Sequence, residues 1–476
     1  MKRKQMATLV SAVVLVGLMT ILVNCGGGGG GSSSGNNTNN NTNNSTTANT
    51  NTTSGGVGVV SVNGRTVAFI PGLGGLIPVI VDGTGAAKPS LKTAGVVRPA
   101  GTTATFDMDS CSVDAVDWKV VCVGYASSKV AVFDIAAYVS SFNAADIAVT
   151  EHDLATSVSP TYVIPTISFS GGSCQNCGVA ADPGEHRYIV ASGDGYRVMP
   201  YTSGTPLAYY GIPISENFGF DPENNWLLAP EYQAGLPFTA ATGSTVTQDM
   251  TFRIVNIGTG KTYSWDKKMA CADIDPVNCW SWETTDSISI DPVTKIATMG
   301  EEWTQAFLFV DLGQASFNDT TNTFTAPFSY LGLTDVANSN LWLTTGTAVE
   351  PLSHMLLIAE ELGSGIGVLQ LPTASGAGNA FPSPAPWSYN SMLMPSNNVC
   401  GTGYSWGGFG DPHGLAIFTS QASGKPMGLL LDYSKQCAAV VDMKDFLAAA
   451  KSTNAGETNI VSASTPTTFL RFIKTQ

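Results

Sequence analysis

The sequence predicts an all-β chain built from small antiparallel sheets repeated about a common axis, and three observations carry that reading. Only 12% of the residues are charged, Gly accounts for 51 of 476, and Val, Thr, Ser and Ala are abundant. This turn-rich, β-branched mixture favours strands over helices. A unit recurs in which a short apolar run meets an acid-Pro pair and is followed by a second apolar run. Each unit then continues into a third apolar run that ends in Asp or a similar polar residue.

Asp182-Pro183 separates the apolar stretches 178–181 and 188–191, and Asp221-Pro222 separates 218–220 and 226–229. Asp291-Pro292 and Glu350-Pro351 do the same at 288–298 and 347–359, and Asp114-Ala115 is a degenerate copy at 111–122. Proline presets φ and donates no hydrogen bond, so it belongs in a turn between two antiparallel strands. The third runs lie at 130–134, 252–256, 307–311 and 367–371. Such a unit cannot cover both faces of its own small sheet, so several must pack face to face around a ring. The expected fold is a β-propeller of seven blades, centred on 59–81, 104–135, 178–210, 217–265, 286–312, 346–371 and 414–446. The apolar stretch 468–473 is expected to add a strand to the first or the last blade. Six blades, or a pair of β-sandwich domains, are the alternatives; sandwiches leave the recurring acid-Pro turn unexplained. The layout resembles the YVTN/NHL-type bacterial propellers over residues 57–447, a resemblance that implies architecture rather than activity.

Upstream of the repeats the composition changes. Lys2, Arg3 and Lys4 precede an uncharged apolar run from 7 to 23, the pattern of an export signal. Leu22-Val23-Asn24-Cys25 resembles the lipobox of bacterial lipoproteins. That resemblance implies a signal peptide at 1–24, lipidation of Cys25, and anchoring in the bacterial cell envelope. The outer membrane is the expected site, with the protein periplasmic or surface-exposed. An ordinary secretory signal and a retained membrane helix remain alternative readings. Residues 26–56 are almost entirely Gly, Ser, Asn and Thr. They bury too little apolar surface to offset their ordering entropy, so a disordered linker is expected over 25–56. Its r.m.s. reach is ~30 Å. The propeller domain then occupies 57–476.

The net charge of −14 becomes −17 once Lys2, Arg3 and Lys4 are removed. That balance excludes a nucleic-acid partner, which demands a basic face, and favours cations or basic ligands. Besides Cys25 the chain has Cys111, Cys122, Cys174, Cys177, Cys271, Cys279, Cys400 and Cys437. An even number in an exported protein reads as disulfides. Neighbours in sequence suggest the pairs 111–122, 174–177, 271–279 and 400–437, although sequence does not fix connectivity.

Strand register picks out the functional candidates. The second strand of a blade returns to the end where the first began. The position ten residues after the turn acid therefore lies at the end of the ring opposite the turns. In three successive blades that position is Glu231, Glu301 and Glu360, and the first strands begin near Asp109, Glu216 and Asp286. Oxygen ligands of this kind suit Ca²⁺ or another divalent cation, or a basic ligand; a solvated acidic rim is the structural alternative. His413, just before the last blade, belongs to the same end and resembles the channel histidines of NHL-type lyases, but one imidazole is not a catalytic set and a structural role is the favoured reading. The sequence carries no G-x-S-x-G elbow, no H-E-x-x-H pair and no P-loop. The function expected is a lipid-anchored, non-catalytic binding or scaffold module of the envelope. The alternative is a metal-dependent propeller lyase or hydrolase using His413 and the carboxylates.

Overall fold

The computed structural model describes residues 57–72, 75–83, 92–93, 97, 108–124, 129–153, 161–164, 167–170, 178–192, 195–212, 218–239, 245–266, 269–270, 287–300, 306–332, 344–360, 365–371, 389–393, 414–432, 437–448 and 470–474. They form seven blade sheets, each a four-stranded antiparallel meander at its core, and a separate two-stranded hairpin of Thr161–Ile164 with Ile167–Ser170. Blade 1 comprises Gly58–Val62, Arg65–Gly72, Gly75–Gly83 and Lys92–Thr93, and blade 2 comprises Met108–Asp114, Lys119–Gly124, Lys129–Asp134 and Ala148–Asp153. Blade 3 runs through Val179–Asp182, Arg187–Ser192, Gly195–Pro200 and Ala208–Tyr210. Blade 4 uses Gly219–Asp221, Trp226–Thr239, Thr245–Asn256 and Lys261–Trp265, and blade 5 uses Ser287–Ile290, Ile296–Gly300, Ala306–Asp311 and Phe328–Gly332. Blade 6 contains Thr344–Glu350, Met355–Glu360, Gly365–Gln370 and Tyr389–Leu393, and blade 7 contains Gly414–Thr419, Pro426–Asp432, Cys437–Asp442 and Leu470–Lys474. The seven-bladed propeller expected from the repeat is the observed fold.

Period-two alternation explains why a blade needs two neighbours. In blade 2, Val120, Cys122, Ala131 and Phe133 pack with Val60 and Phe69 of blade 1. The intervening Val121, Val123, Val130 and Val132 pack with Val179 and Val190 of blade 3. One continuous apolar run thus feeds two separate layers, because successive side chains point to opposite faces of a strand. Similar layers join blades 4 and 5, 5 and 6, and 6 and 7. Val57, Val59 and Ile70 of blade 1 meet Ala416, Phe418 and Leu429 of blade 7, which closes the ring. The C-terminal strand pairs with Cys437–Asp442 as the outermost strand of blade 7, so closure comes from sheet packing rather than from a shared blade.

Close approach dictates small residues on the interfaces. A Cβ on Gly219 in blade 4 would stand 2.8 Å from Ile288 Cγ2 of blade 5. A Cβ on Gly428 in blade 7 would stand 2.6 Å from Leu357 Cδ2 of blade 6. Neither leaves room for a side chain.

Three features depart from the sequence reading. His152, which falls between the second and third repeat units, sits in the fourth strand of blade 2, buried, with Nε2 3.3 Å from the Tyr201 carbonyl oxygen. The second and third strands of blade 4 form one long hairpin, paired from Trp226↔Asn256 to Thr239↔Thr245. Between the third and fourth strands of blade 5, a small hairpin (Ser316–Asn318 with Thr323–Thr325) crosses over and pairs in parallel with the outer strand of blade 4. Phe324 of this strap packs on Phe252 and Phe317, and Tyr263 donates to Asp319 at 2.6 Å. The strap covers an edge that would otherwise present unpaired backbone groups.

Candidate functional site

The described carboxylates concentrate at the end of the ring that carries the acid-Pro turns, and their geometry shows what the repeat is for. Asp114, Asp182, Asp221, Asp291 and Glu350 are all buried. Most of them cap their own turn. Asp114 Oδ1 accepts from the Val116 and Asp117 amides at 2.8 and 2.9 Å. Asp291 Oδ1 accepts from Val293 and Thr294 at 2.9 and 3.3 Å, and Glu350 Oε2 accepts from the Ser353 amide at 2.6 Å. Such a side chain replaces the missing backbone partners of a tight turn. The fourth residue after each acid is left-handed: Trp118, His186, Asn225, Lys295 and His354 have φ between 53° and 60°. That conformation directs the turn's last side chain sideways, toward an adjacent blade.

The consequence is a polar belt that crosses every interface of the ring. Asn63 of blade 1 donates to the Val139 carbonyl of blade 2 at 3.1 Å. Asp114 of blade 2 accepts from the Tyr201 hydroxyl of blade 3 at 2.7 Å, and Asp117 lies 2.8 Å from His186 Nδ1. Arg187 of blade 3 donates to Asp182 at 2.8 Å and, across the interface, to Asn225 Oδ1 at 2.7 Å. Lys295 of blade 5 reaches back to Asp221 at 3.0 Å, and His354 Nδ1 of blade 6 lies 2.6 Å from Asp291 Oδ2. Thr419 of blade 7 donates to Glu350 at 3.4 Å, and the Gln421 and Ala422 amides donate to Asp82 of blade 1.

Burial and pairing pull on the protonation of these groups. Burial raises the Asp114 carboxyl above the usual carboxylate range, outweighing the amide and Tyr201 donors. Burial likewise raises Asp182 despite the Arg187 guanidinium beside it. The hydrogen bond to Asp117 holds His186 above its ordinary value, and that to Asp291 does the same for His354. Carboxylates whose oxygens are taken by protein donors are unsuited to proton transfer with a substrate; these are structural groups. Sequence reasoning identified the acids but missed their partners. The signal was present in the fourth residue after each acid, where His186, Asn225, Lys295 and His354 can all make hydrogen bonds.

At the other end of the ring the sequence-derived candidates are covered only in part. Glu360 is the last residue of its strand, paired with Thr344 at the far end from the turn. Glu231 pairs with Thr251 inside the long blade 4 hairpin rather than at a strand end, because that ladder continues to Thr239. Asp109 falls at the register shift between Met108 and Ser110. Glu301, Glu216, Asp286 and His413 lie outside the described residues, as do Cys25 and the linker. Among the described residues, no group of three or more His, Cys, Asp or Glu side chains is arranged to hold a metal ion. Of the cysteine pairs, Cys111–Cys122 forms a disulfide between directly opposed residues of blade 2, with Cα atoms 4.1 Å apart. Cys174, Cys177, Cys271, Cys279 and Cys400 lie outside the described residues, and Cys437 begins a strand of blade 7.

No family model matches the chain, and no curated protein matches it. Solved structures similar to it include the β-propeller domain of Cps50 (Swd1) from Myceliophteria thermophila, at 11% identity and a TM-score of 0.41, covering 70% of this chain and 82% of that one. Apo AztD from Citrobacter koseri is similar at 9% identity and a TM-score of 0.39, covering 88% and 89% respectively. Hsv2 from Kluyvelomyces marxianus is similar at 8% identity and a TM-score of 0.40, covering 82% and 93%. Likeness at this level carries nothing about ligand or activity; the seven-bladed ring rests on the strand pairing itself.

Proposed function

We propose that this protein is a lipid-anchored propeller of the bacterial envelope that binds rather than catalyses, taking a divalent cation or a basic ligand at the end of the ring opposite the acid-Pro turns. One observation carries the reading: the carboxylates of the turns are committed to the ring itself and are not free to hold a ligand. The turn acids are buried and bonded within the ring, and the ligand is assigned instead to Asp109, Glu216, Glu231, Asp286, Glu301 and Glu360. The tether from Cys25 joins the ring at Gly58, where the first strand of blade 1 starts, the end to which those acids are assigned. A net charge of −17 after signal removal favours a cationic ligand.

Two measurements test the two halves separately. Incorporation of labelled palmitate into the wild type and its loss in Cys25→Ala would support the anchor; an unlabelled wild type overturns it. Calorimetric titration with Ca²⁺ and with a Lys-rich peptide is expected to show binding that weakens at least tenfold in a Glu231→Gln/Glu301→Gln/Glu360→Gln variant. Equal affinity of the variant, or no binding of either probe by the wild type, overturns the ligand assignment.

A further inference from the structure

Two turns of neighbouring blades place a different base in the same position. Lys295 in blade 5 and His354 in blade 6 each follow the turn acid by four residues, each with positive φ, and each reaches the acid of the preceding blade. Lysine is charged throughout the physiological range, whereas histidine changes charge within it. The histidine partner is also the more constrained of the two. Asp291 has a side-chain exposure of 0% and His354 of 12%. Asp291 Oδ1 is taken by the Val293 and Thr294 amides, so the imidazole is the partner of Oδ2. The His354 carbonyl accepts from the Leu371 amide at 2.8 Å and from Gln370 Nε2 at 3.1 Å, which holds the residue in line with Asp291.

We propose that His354 and Asp291 form a proton-operated clasp between blades 5 and 6, closed while the imidazole is charged and loosened when it is neutral. Among the described residues, the charged groups facing His354 are Asp291 from blade 5 and Glu350 from its own turn, both of which favour the imidazolium. Gln370, from the third strand of blade 6, is neutral, and Lys295 is directed away to Asp221 and Glu223. Asp291 holds the imidazole proton above the ordinary value of 6.5. The clasp therefore contributes fully below that value and is lost as pH rises through the raised one. His186 makes a related pair between blades 2 and 3, with Asp117 three residues beyond the turn acid, but His186 is 65% exposed and Asp117 28%. Water screens that pair, so the buried clasp carries the response.

The test uses the full chain with ¹³C-labelled histidine, which has four imidazoles to assign, together with hydrogen exchange corrected for intrinsic rates. His354 is expected to titrate above 6.5 and to return toward 6.5 in Asp291→Asn. Exchange across 287–300 and 344–360 is expected to be several-fold faster at pH 8.5 than at pH 6 in the wild type. In His354→Lys, which copies blade 5, it should be equal at both. A wild-type His354 titrating at or below 6.5, or a His354→Lys protein that keeps the wild-type pH response, overturns the proposal.

Discussion

Blades 3 and 6 carry the same device in two settings. In each, a histidine at the left-handed end of the turn lies against an aspartate of the preceding blade, at 2.8 Å in one and 2.6 Å in the other. The distances scarcely differ, but the surroundings do. His186 stands in solvent, whereas Asp291 is sealed beneath its own turn with His354 over it. The turn sequence fixes where the side chain points, and the adjoining blade decides what the contact is worth. A buried carboxylate that loses its partner keeps its desolvation cost, while an exposed one is resolvated by water.

The widest separation between the two settings is expected on removing the acids. Asp291→Ala strips the cap from two amides and orphans a half-buried imidazole, and should lower the unfolding free energy by about 3 kcal/mol. Asp117→Ala should leave the denaturation midpoint unchanged within error, and equal losses at the two sites would break the comparison. Lys295→Met sharpens it in a third blade: Asp221 is left with 1% side-chain exposure and no cation, a loss of about 2 kcal/mol in urea unfolding. A third measurement concerns pH. Burial raises Asp114 above 3.8 when folded, so the folded state binds its proton more readily than the unfolded chain does. The corresponding stability is present at acid pH and is lost as pH rises through the raised value. Asp114→Asn should flatten that part of the profile, and an unchanged slope would show that the buried acid does not titrate there. The smallest effect belongs to His186→Ala, for which thermal melting at pH 6 should match the wild type; a clear drop would mean that the exposed pair is not screened.

Blade 4 offers a second contrast, in how far the sequence could be read. Its inner hairpin was legible, because Asp221-Pro222 between apolar runs encodes a local turn. The parallel strap on its outer strand was not. Thr323–Thr325 is three residues long, too short for periodicity to show, and its partner strand Lys261–Trp265 lies about sixty residues earlier. The fourth strands Lys92–Thr93 and Ala148–Asp153 were missed for a similar reason: the first is two residues long, and the second lies beyond the three runs of the repeated unit. Cys111 and Cys122 could be paired in advance because the hairpin that opposes them is local.

The chain by itself settled whatever depends on neighbours in sequence. The acid-Pro turns, the doubly buried apolar runs that flank them, the number of such units and the disulfide of blade 2 all follow from short-range hydrogen bonding and the two-residue period of a strand. Tertiary structure alone decided which blade each turn residue touches, that the last strand completes blade 7, and that His354 is largely covered where His186 is exposed. Those outcomes depend on contacts between segments some thirty or more residues apart. Their energies come from the desolvation that ring closure imposes, which no local pattern encodes.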